Sequence, residues 1–384
     1  MKRFSLHHPL LVALLWLLAT LCAFAQQTLP LSPAAWTFGP GASHRFEEHL
    51  AQKSLYLKGE AFFEGLEFEE GRLEVDIAPT DVRSFAALLF WAQPGVDTPG
   101  ESYEEVYLRM HKSAQPDAIQ YSPVYQGEST WQLYYPLQAA APIHTDRWNH
   151  LRLEIKGDSL WVFLNEDPEP LLTVGRLRTG FGRGKIGLRS LGGNHFANLR
   201  VQARPHAAGY VPGPPAALPA GVIPFWYVSA ARPAPARPLY PSLAGEQWQR
   251  AAAEEGGLLP LNRWVRKQVA GNFEANSEEV VYARLTIYSE TAQLKGFLFD
   301  FSDKAHVFLN GQLLYSGSNG FRFKGPLFRG DMHPEANQLY LPLQKGENEL
   351  LVAVIEKANG WALMGRFSDM KGIRLAEDRT SSRR

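Results

Sequence analysis

The stretch Tyr103–Tyr135, YEEVYLRMHKSAQPDAIQYSPVYQGESTWQLYY, decides how the first half of the chain is interpreted. It opens with strict alternation, in which Val106, Leu108 and Met110 are apolar and the residues between them are polar or aromatic. Successive side chains of a β-strand point to opposite faces. The pattern therefore predicts a strand with one face toward a core and a polar face directed away from it.

The polar face of this predicted strand joins aromatic rings to a carboxylate, a guanidinium and an imidazole, and the next segment adds amides and more rings. Flat rings beside planar polar groups suit sugars, whose faces are apolar and whose rims are hydroxylated. The alternative is an outer face with an internal Glu–Arg pair. We predict a carbohydrate-binding surface with the candidate ligand residues Glu105, Tyr107, Arg109, His111, Gln120, Tyr121, Trp131 and Gln132.

Short alternating runs separated by turn residues continue from about Trp36 to Ala203. Leu73, Val75 and Ile77 alternate with charged residues, and Phe85–Trp91 is nearly all apolar, as in a strand buried on both faces. Many short strands with regular turn signals predict an antiparallel β-sandwich.

Composition changes over residues 204–241, where ten prolines predict a semi-rigid connector because proline fixes φ and lacks an amide donor. The apolar run Ile223–Val228 within it predicts the first strand of a second domain. Later runs are again strand-like, and only Trp248–Glu255 has helical composition, although it could equally be extended. The predicted fold class is all-β, with two antiparallel β-sandwich (jelly-roll) domains joined by a Pro-rich linker.

The chain begins with Lys2 and Arg3, an apolar run too short to span a bilayer, and the small-x-small sequence Ala23-Phe24-Ala25. We therefore predict a cleaved signal peptide and a secreted or periplasmic protein. Its removal takes away Cys22, so the mature chain would contain no cysteine. The predicted ranges are a signal peptide over 1–25, a first β-sandwich over 30–203, a linker over 204–220, a second β-sandwich over 221–376 and a disordered tail over 377–384.

Charge excludes one class of partner. The chain has 39 basic and 39 acidic residues, and loss of Lys2 and Arg3 leaves 37 basic residues and a formal charge of −2. Nucleic-acid binding depends on phosphate neutralisation, so we predict no nucleic-acid partner. No later stretch predicts a transmembrane segment. The histidines lack metal-ligand spacing, and no cofactor is predicted. Structural calcium is left open, although no residue pattern indicates it, and a protein partner stays unknown.

Four pieces of the first half resemble the concanavalin A-like lectin/glucanase superfamily: Gly71–Ile77, Glu105–Arg109, Asp146–Leu153 and Gly184–Leu188. The resemblance is closest to the branch with 3-keto-disaccharide hydrolase-like and laminin-G-like domains. It implies a β-sandwich, and because that fold hosts lectins, adhesion modules and glycosidases, it implies no single activity.

The second half resembles the galactose-binding-domain-like jelly roll, a module that is frequently an accessory to glycoside hydrolases. The resemblance lies in Val307–Gly311 and Leu343–Leu350. Asn310-Gly311 also predicts a hairpin, because both residues tolerate the positive φ of a type I′ turn.

Three carboxylates are weak catalytic candidates: Glu74, Asp76 and Glu105. Laminarinase-type enzymes of the resembled superfamily carry their acids on one strand as E-x-D-x-x-E, but here Pro79 stands where the third acid would be. A retaining glycosidase needs two carboxyl groups about 5–5.5 Å apart, which residues i and i+2 of a strand could supply. Gly157-Asp158-Ser159-Leu160 spells the GDSL esterase signature, but its position between two predicted strands indicates a hairpin turn.

The function predicted from these features is glycan recognition by the concave face of the first β-sandwich, without catalysis. Two alternatives stay open at this point. One is a glycan-active hydrolase or lyase of the 3-keto-disaccharide hydrolase type, and the other is an envelope structural or protein-interaction module. Whether the protein is an enzyme is left undecided by the sequence.

Overall fold

The structure, a computed structural model, describes residues 26–80, 83–95, 98, 100–211, 217–268 and 277–376. The predicted signal peptide and the predicted tail lie outside these residues. Within them there are no α-helices, only the 3-10 turns Pro33–Ala35, Glu255–Gly257 and Leu261–Arg263. No helix of the described part is long and apolar enough to cross a bilayer. The chain is all-β, as predicted.

Contacts divide the chain into two compact units. The first combines the residues up to Pro123 with Pro136–Gly213, and the second combines Val124–Tyr135 with the residues from Pro214 onward. The segment 124–135 therefore packs with the C-terminal half of the chain, although it lies inside the first half in sequence.

The strands before the connector, in chain order, are β1 (Gln27–Thr28), β2 (Trp36–Phe38), β3 (Ser43–His49), β4 (Gln52–Phe68), β5 (Glu70–Pro79), β6 (Phe85–Gln93), β7 (Ser102–Arg109), β8 (Ile119–Tyr125), β9 (Glu128–Ser129), β10 (Gln138–Ala139), β11 (Asn149–Lys156), β12 (Ser159–Leu164), β13 (Leu172–Val174) and β14 (Gly184–Arg204). Their main hydrogen-bonded order is β10-β8-β7-β6-β14-β5-β11-β12-β13, and β4 pairs with β14, β2 and β3.

The long strand β14 joins two halves of this sheet. Its Lys185–Leu191 part pairs with β6, and its Asn194–Arg204 part pairs with β5. The register shifts between Ser190 and Asn194, where a bulge bends the strand. Apolar side chains from both halves form one core. Since no α-helix of the described residues covers that core, the two halves cover each other as a β-sandwich.

The alternation that opened the sequence analysis is confirmed. Val106, Leu108 and Met110 are 0%, 0% and 2% exposed and belong to the core, as do Leu73 and Val75 on β5. Strand β6 is buried almost throughout, as its apolar run predicted. The predicted turn at Gly157 joins β11 to β12, so the GDSL tetrad is part of a hairpin.

The second unit contains β9 and the strands β15 (Phe225–Val228), β16 (Arg232–Pro233), β17 (Gln249–Ala252), β18 (Leu258–Pro260), β19 (Glu279–Ser289), β20 (Gln293–Ser302), β21 (Lys304–Leu309), β22 (Gln312–Ser318), β23 (Asn337–Leu343), β24 (Gly346–Glu356), β25 (Ala362–Phe367) and β26 (Ile373–Ala376). One sheet has the order β17-β15-β19-β24-β21-β22, with β16 and β26 also paired to β19, and the other has the order β18-β25-β20-β23.

Residues of both sheets meet in a core that includes Trp226, Phe299 and Trp361. The strand predicted within Ile223–Val228 is β15, and the Asn310-Gly311 hairpin joins β21 to β22 with φ of 48° and 81° at its two central residues. The segment with helical composition, Trp248–Glu255, is extended over β17 because it pairs with β15.

Candidate functional site

The structure divides the eight predicted ligand residues between the two units. Trp131 and Gln132 lie in the 124–135 segment and belong to the second unit, and the other six belong to the first. Within the first unit, residues of the outer side of β7 meet polar residues of β4, β8 and β14. We call this set the polar face: Glu60, Tyr103, Glu105, Tyr107, Arg109, Gln120, Ser122 and Arg189.

A buried ion pair lies at the centre of the polar face. The Arg189 guanidinium donates to Glu105, with Nε 3.0 Å from Oε2, and Ser122 Oγ lies 3.2 Å from the other carboxylate oxygen. Glu105 is 0% exposed, whereas 13% of the Arg189 side chain reaches solvent. Burial alone would lower the pKa of Arg189, but the carboxylate of Glu105 raises it. The arginine therefore stays charged.

A second carboxylate adjoins this pair. The Tyr103 hydroxyl donates to Glu60 at 2.7 Å, and Glu60 lies directly across from Arg189 in the β4–β14 register. Burial raises the pKa of Glu60 above its ordinary value, and burial together with the Glu60 charge raises the pKa of Tyr103. Titratable groups that are both buried and coupled to one another are concentrated at functional sites.

Tyr107, Arg109 and Gln120 form a closed triangle beside the ion pair. Tyr107 Oη donates to Gln120 Oε1 at 2.9 Å, and Arg109 Nη2 donates to the same two oxygens at 2.8 and 2.6 Å. Arg109 Nη1 also donates to the Asp117 carbonyl at 2.6 Å. Tyr107 and Arg109 are only 4% and 5% exposed. Both predicted ligand residues are therefore used to link β7 to β8.

Tyr121 is not on the polar face. It follows Gln120 on β8, so it points to the other side, and its ring is part of the core. Its hydroxyl donates to Glu104 at 2.6 Å and accepts the Arg178 backbone amide at 2.9 Å. Glu104 is a buried carboxylate that the sequence analysis missed, and burial raises its pKa. Its place in the alternation, on the side of Val106, was the available signal.

The remaining three predicted ligand residues are placed differently. His111 is exposed just beyond β7, with its ring edge-on to Phe85 at 5.2 Å, and partial burial lowers its pKa. In the second unit, the Trp131 ring is edge-on to Phe321 at 5.8 Å. Gln132 is buried, and its amide donates to the Arg329 carbonyl at 2.9 Å. These last two residues therefore support the second unit.

The three catalytic candidates do not form one site. Glu74 and Asp76 point away from the core on β5, and Glu105 points away from the same core on β7. The two strands lie in the two halves that cover each other, so these carboxylates are on opposite outer faces of the sandwich. Glycosidases require two carboxyl groups about 5–9.5 Å apart. Carboxylates on opposite outer faces are farther apart than this, so Glu105 does not form a catalytic pair with Glu74 or Asp76.

Glu74 and Asp76 are held by polar and cationic neighbours. Asp76 has His150 Nδ1 2.7 Å from one oxygen and the Asn198 amide 2.7 Å from the other. Burial alone would raise the pKa of Asp76, but these hydrogen bonds hold it below its ordinary value. Arg72 and Arg200 lie 3.8 and 3.9 Å from Glu74. An acid catalyst needs a raised pKa, so Asp76 is unsuited to that role.

The described residues contain no group of three or more His, Cys, Asp or Glu side chains arranged to hold a metal ion.

Comparison with known proteins gives similarity of structure only. No protein-family model and no curated protein sequence matches the chain. Among solved structures, the chain is similar to the carbohydrate binding module CBM66 from Bacillus subtilis, at 17% identity and a TM-score of 0.32, over 43% of this chain and 94% of that chain.

Two further solved structures have the same TM-score of 0.32. A putative glycosyl hydrolase from Parabacteroides distasonis is 13% identical over 44% of this chain and 89% of its own, and a protein of unknown function with a galectin-like fold from Bacillus subtilis is 14% identical over 47% and 96%. Because these scores are low, the proposal below is built on the side chains of this chain alone.

Proposed function

We propose that the first unit recognises carbohydrate through the polar face and does so without catalysis. The observation that carries the proposal is that the Tyr103–Glu60 hydrogen bond and the Glu105–Arg189 ion pair lie side by side on one outer sheet face. Sugar hydroxyls both donate and accept hydrogen bonds, and these groups supply carboxylate acceptors beside planar donors.

The energetics of the ion pair favour a binding role over a purely structural one. Burying a guanidinium and a carboxylate costs several kcal/mol per ion, and apolar side chains of similar volume are often equally stabilising. Such a pair is therefore weak evidence for a stabilising role, and buried, coupled titratable groups are concentrated at functional sites. Arg189 keeps its partial exposure while Glu105 fixes its orientation, which is the arrangement of a preorganised donor.

The Arg189 side chain, which is partly exposed, lies beside Ala87 on β6. Ala87 is directly across from Arg189 on one side and from Tyr107 on the other. Phe85, half-buried two residues along the same strand, adds an aromatic edge. We propose that a sugar ring binds at the partly exposed Arg189, with its hydroxyls directed to Arg189 and Glu60.

The proposal is non-catalytic because Glu105 points to the face opposite Glu74 and Asp76, and because Asp76, with its lowered pKa, is unsuited to act as an acid. It also includes export, which the basic and apolar residues of the N-terminal 25 positions support.

The test is a glycan array probed with the mature full-length protein, with release of reducing ends assayed in parallel on every glycan that binds. Binding without release is the expected result. Release of reducing ends would replace the proposal with the hydrolase alternative. Failure to bind any glycan would contradict carbohydrate recognition and favour the protein-interaction alternative.

A further inference from the structure

The loop between β22 and β23 exposes large apolar side chains. We call residues 319–333 the presenting loop; its sequence from Phe321 to Arg329 is FRFKGPLFR. Leu327 is 93% exposed and Phe323 is 65% exposed, on either side of Lys324-Gly325-Pro326. Isolated exposed apolar residues are common, but two large ones on one short turn indicate an interaction site.

The base of the presenting loop is held by a buried carboxylate. Asp300, which is 2% exposed, accepts the Asn319 amide at 2.5 Å and the His333 backbone amide at 2.7 Å. The two ends of the loop are therefore tied to one side chain of β20. At Gly330, where φ is +75°, a Cβ would meet the Asn319 carbonyl at 2.5 Å, so the close approach there requires glycine.

The upper part of the loop is also ordered by its own hydrogen bonds. The Arg322 amide donates to the Phe328 carbonyl at 2.8 Å, and the Phe328 amide donates to the Gly325 carbonyl at 3.0 Å. The Trp131 ring packs edge-on against Phe321. These bonds fix the turn that carries Phe323 and Leu327, so their exposure is a property of the folded loop.

The presenting loop is cationic. It carries Arg322, Lys324 and Arg329, and no acidic residue occurs between Gly320 and Gly330. The acid that follows, Asp331, lies 3.1 Å from Arg329. The Arg322 guanidinium lies 4.9 Å from the Phe321 ring centre, and Lys324 Nζ lies 5.0 Å from that of Phe328. Lys324 Nζ also donates to Asn319 Oδ1 at 2.5 Å. Arg322 and Lys324 therefore place positive charge on the same turn as the exposed apolar residues.

We infer that the presenting loop docks on an anionic lipid surface. Phe323 and Leu327 enter the boundary between headgroups and acyl chains, while Arg322 and Lys324 contact the headgroup phosphates. Interfacial binding depends on this combination of apolar insertion and attraction to anionic lipid. A fully exposed leucine offers nothing to a sugar hydroxyl, and a protruding apolar pair favours a lipid surface. This inference is independent of carbohydrate binding by the first unit.

The test is cosedimentation of the mature full-length protein with vesicles. One set contains phosphatidylcholine alone, and the other contains equal parts of phosphatidylcholine and phosphatidylglycerol. We expect the protein to sediment with the anionic vesicles and to stay in solution with the neutral ones. The double variant Phe323→Ser/Leu327→Ser should reduce the partition coefficient at least about tenfold. Arg322→Gln/Lys324→Gln should reduce it about tenfold and make it less sensitive to salt.

The matched control is Leu294→Ser/Tyr340→Ser. These two residues of β20 and β23 are 69% and 65% exposed in the same unit but lie outside the presenting loop. The control should partition like the wild-type protein. The inference is overturned if the wild-type protein ignores anionic vesicles, if the Phe323/Leu327 variant binds them unchanged, or if the control variant loses as much binding. Loss in the basic variant alone would show anion attraction without insertion and would equally overturn it.

Discussion

The two outer faces of the first β-sandwich carry similar residue types, but their ion pairs differ in exposure to solvent. On the polar face, Arg189 pairs with a carboxylate that is 0% exposed. On the opposite face, which we call the β5 face, Arg152 pairs with Glu154 at side-chain exposures of 24% and 35%, and Glu74 and Asp76 lie nearby. The Arg152–Glu154 pair is therefore partly solvated, whereas the carboxylate of the Glu105–Arg189 pair is enclosed.

This difference shows why residue type alone does not locate a site. A carboxylate and a guanidinium beside water interact weakly, because solvent already stabilises each ion. The same groups buried together depend on one another, and their geometry is fixed. The Glu105–Arg189 pair of the polar face therefore has the fixed geometry that recognition needs, whereas the Arg152–Glu154 pair of the β5 face is an ordinary surface ion pair.

The largest expected effect is on the folding of the first unit, on which both outer faces depend. Val106→Asp places a charge among core residues that support the two halves of the sheet, and Val106 is 0% exposed. We expect a loss of more than about 4 kcal/mol in the free energy of unfolding, so the first unit should not fold. Circular dichroism and thermal denaturation check this. Glu154→Gln, at a polar position of β11, should melt like the wild-type protein, and a native-like melt of Val106→Asp would contradict the assigned core.

The next effect separates the two faces. Arg189→Ala leaves Glu105 buried without its cation and should lower the free energy of unfolding by about 3–5 kcal/mol. Arg152→Ala on the β5 face should lower it by less than about 1 kcal/mol, because that pair is partly solvated. Urea denaturation measures both. The double variant Glu105→Gln/Arg189→Gln should regain much of the loss, and equal losses for the two alanine variants would remove the distinction between the faces.

A smaller effect concerns pH, and it has opposite signs on the two faces. Asp76 has a folded pKa below its unfolded value of about 3.9, so its stabilisation is present above that pH and is lost as pH falls through the folded pKa. Glu60 has a folded pKa above its unfolded value of about 4.3, so stability declines as pH rises from there through the folded pKa.

Urea denaturation across this pH range tests the signs. Asp76→Asn should flatten the acid side of the profile, and Glu60→Gln should flatten the decline at higher pH. If Glu60→Gln leaves that decline unchanged, the pKa of Glu60 is not raised in the folded protein.

The sequence predicts the local structure well and the site only in part. Alternation was sufficient to assign Val106 and Leu108 to the core, because side-chain parity is a local property of a strand. The Asn310-Gly311 hairpin is predictable for the same reason, since the turn chemistry lies in two adjacent residues.

The partners of the polar face are not local. Glu105 pairs with Arg189, 84 residues away. Neither the burial of Glu105 nor its ion pair can therefore be deduced from the 103–135 stretch. Tyr121 and Gln120 are both predicted ligand residues because their side-chain types suit binding, but strand parity puts Tyr121 in the core. Trp131 and Gln132 belong to the second unit, where Gln132 contacts Arg329, about 200 positions later in the chain.

The most direct measurement of the central claim is the affinity of two matched variants for a glycan that the array identifies. Arg189→Lys keeps a charge for Glu105 but loses the planar fork of donors, and Arg152→Lys makes the same change on the β5 face. By isothermal titration calorimetry, we expect Arg189→Lys to weaken binding about tenfold and Arg152→Lys to leave it unchanged. If Arg189→Lys binds like the wild-type protein, or if both variants weaken binding equally, the polar face is not the carbohydrate site.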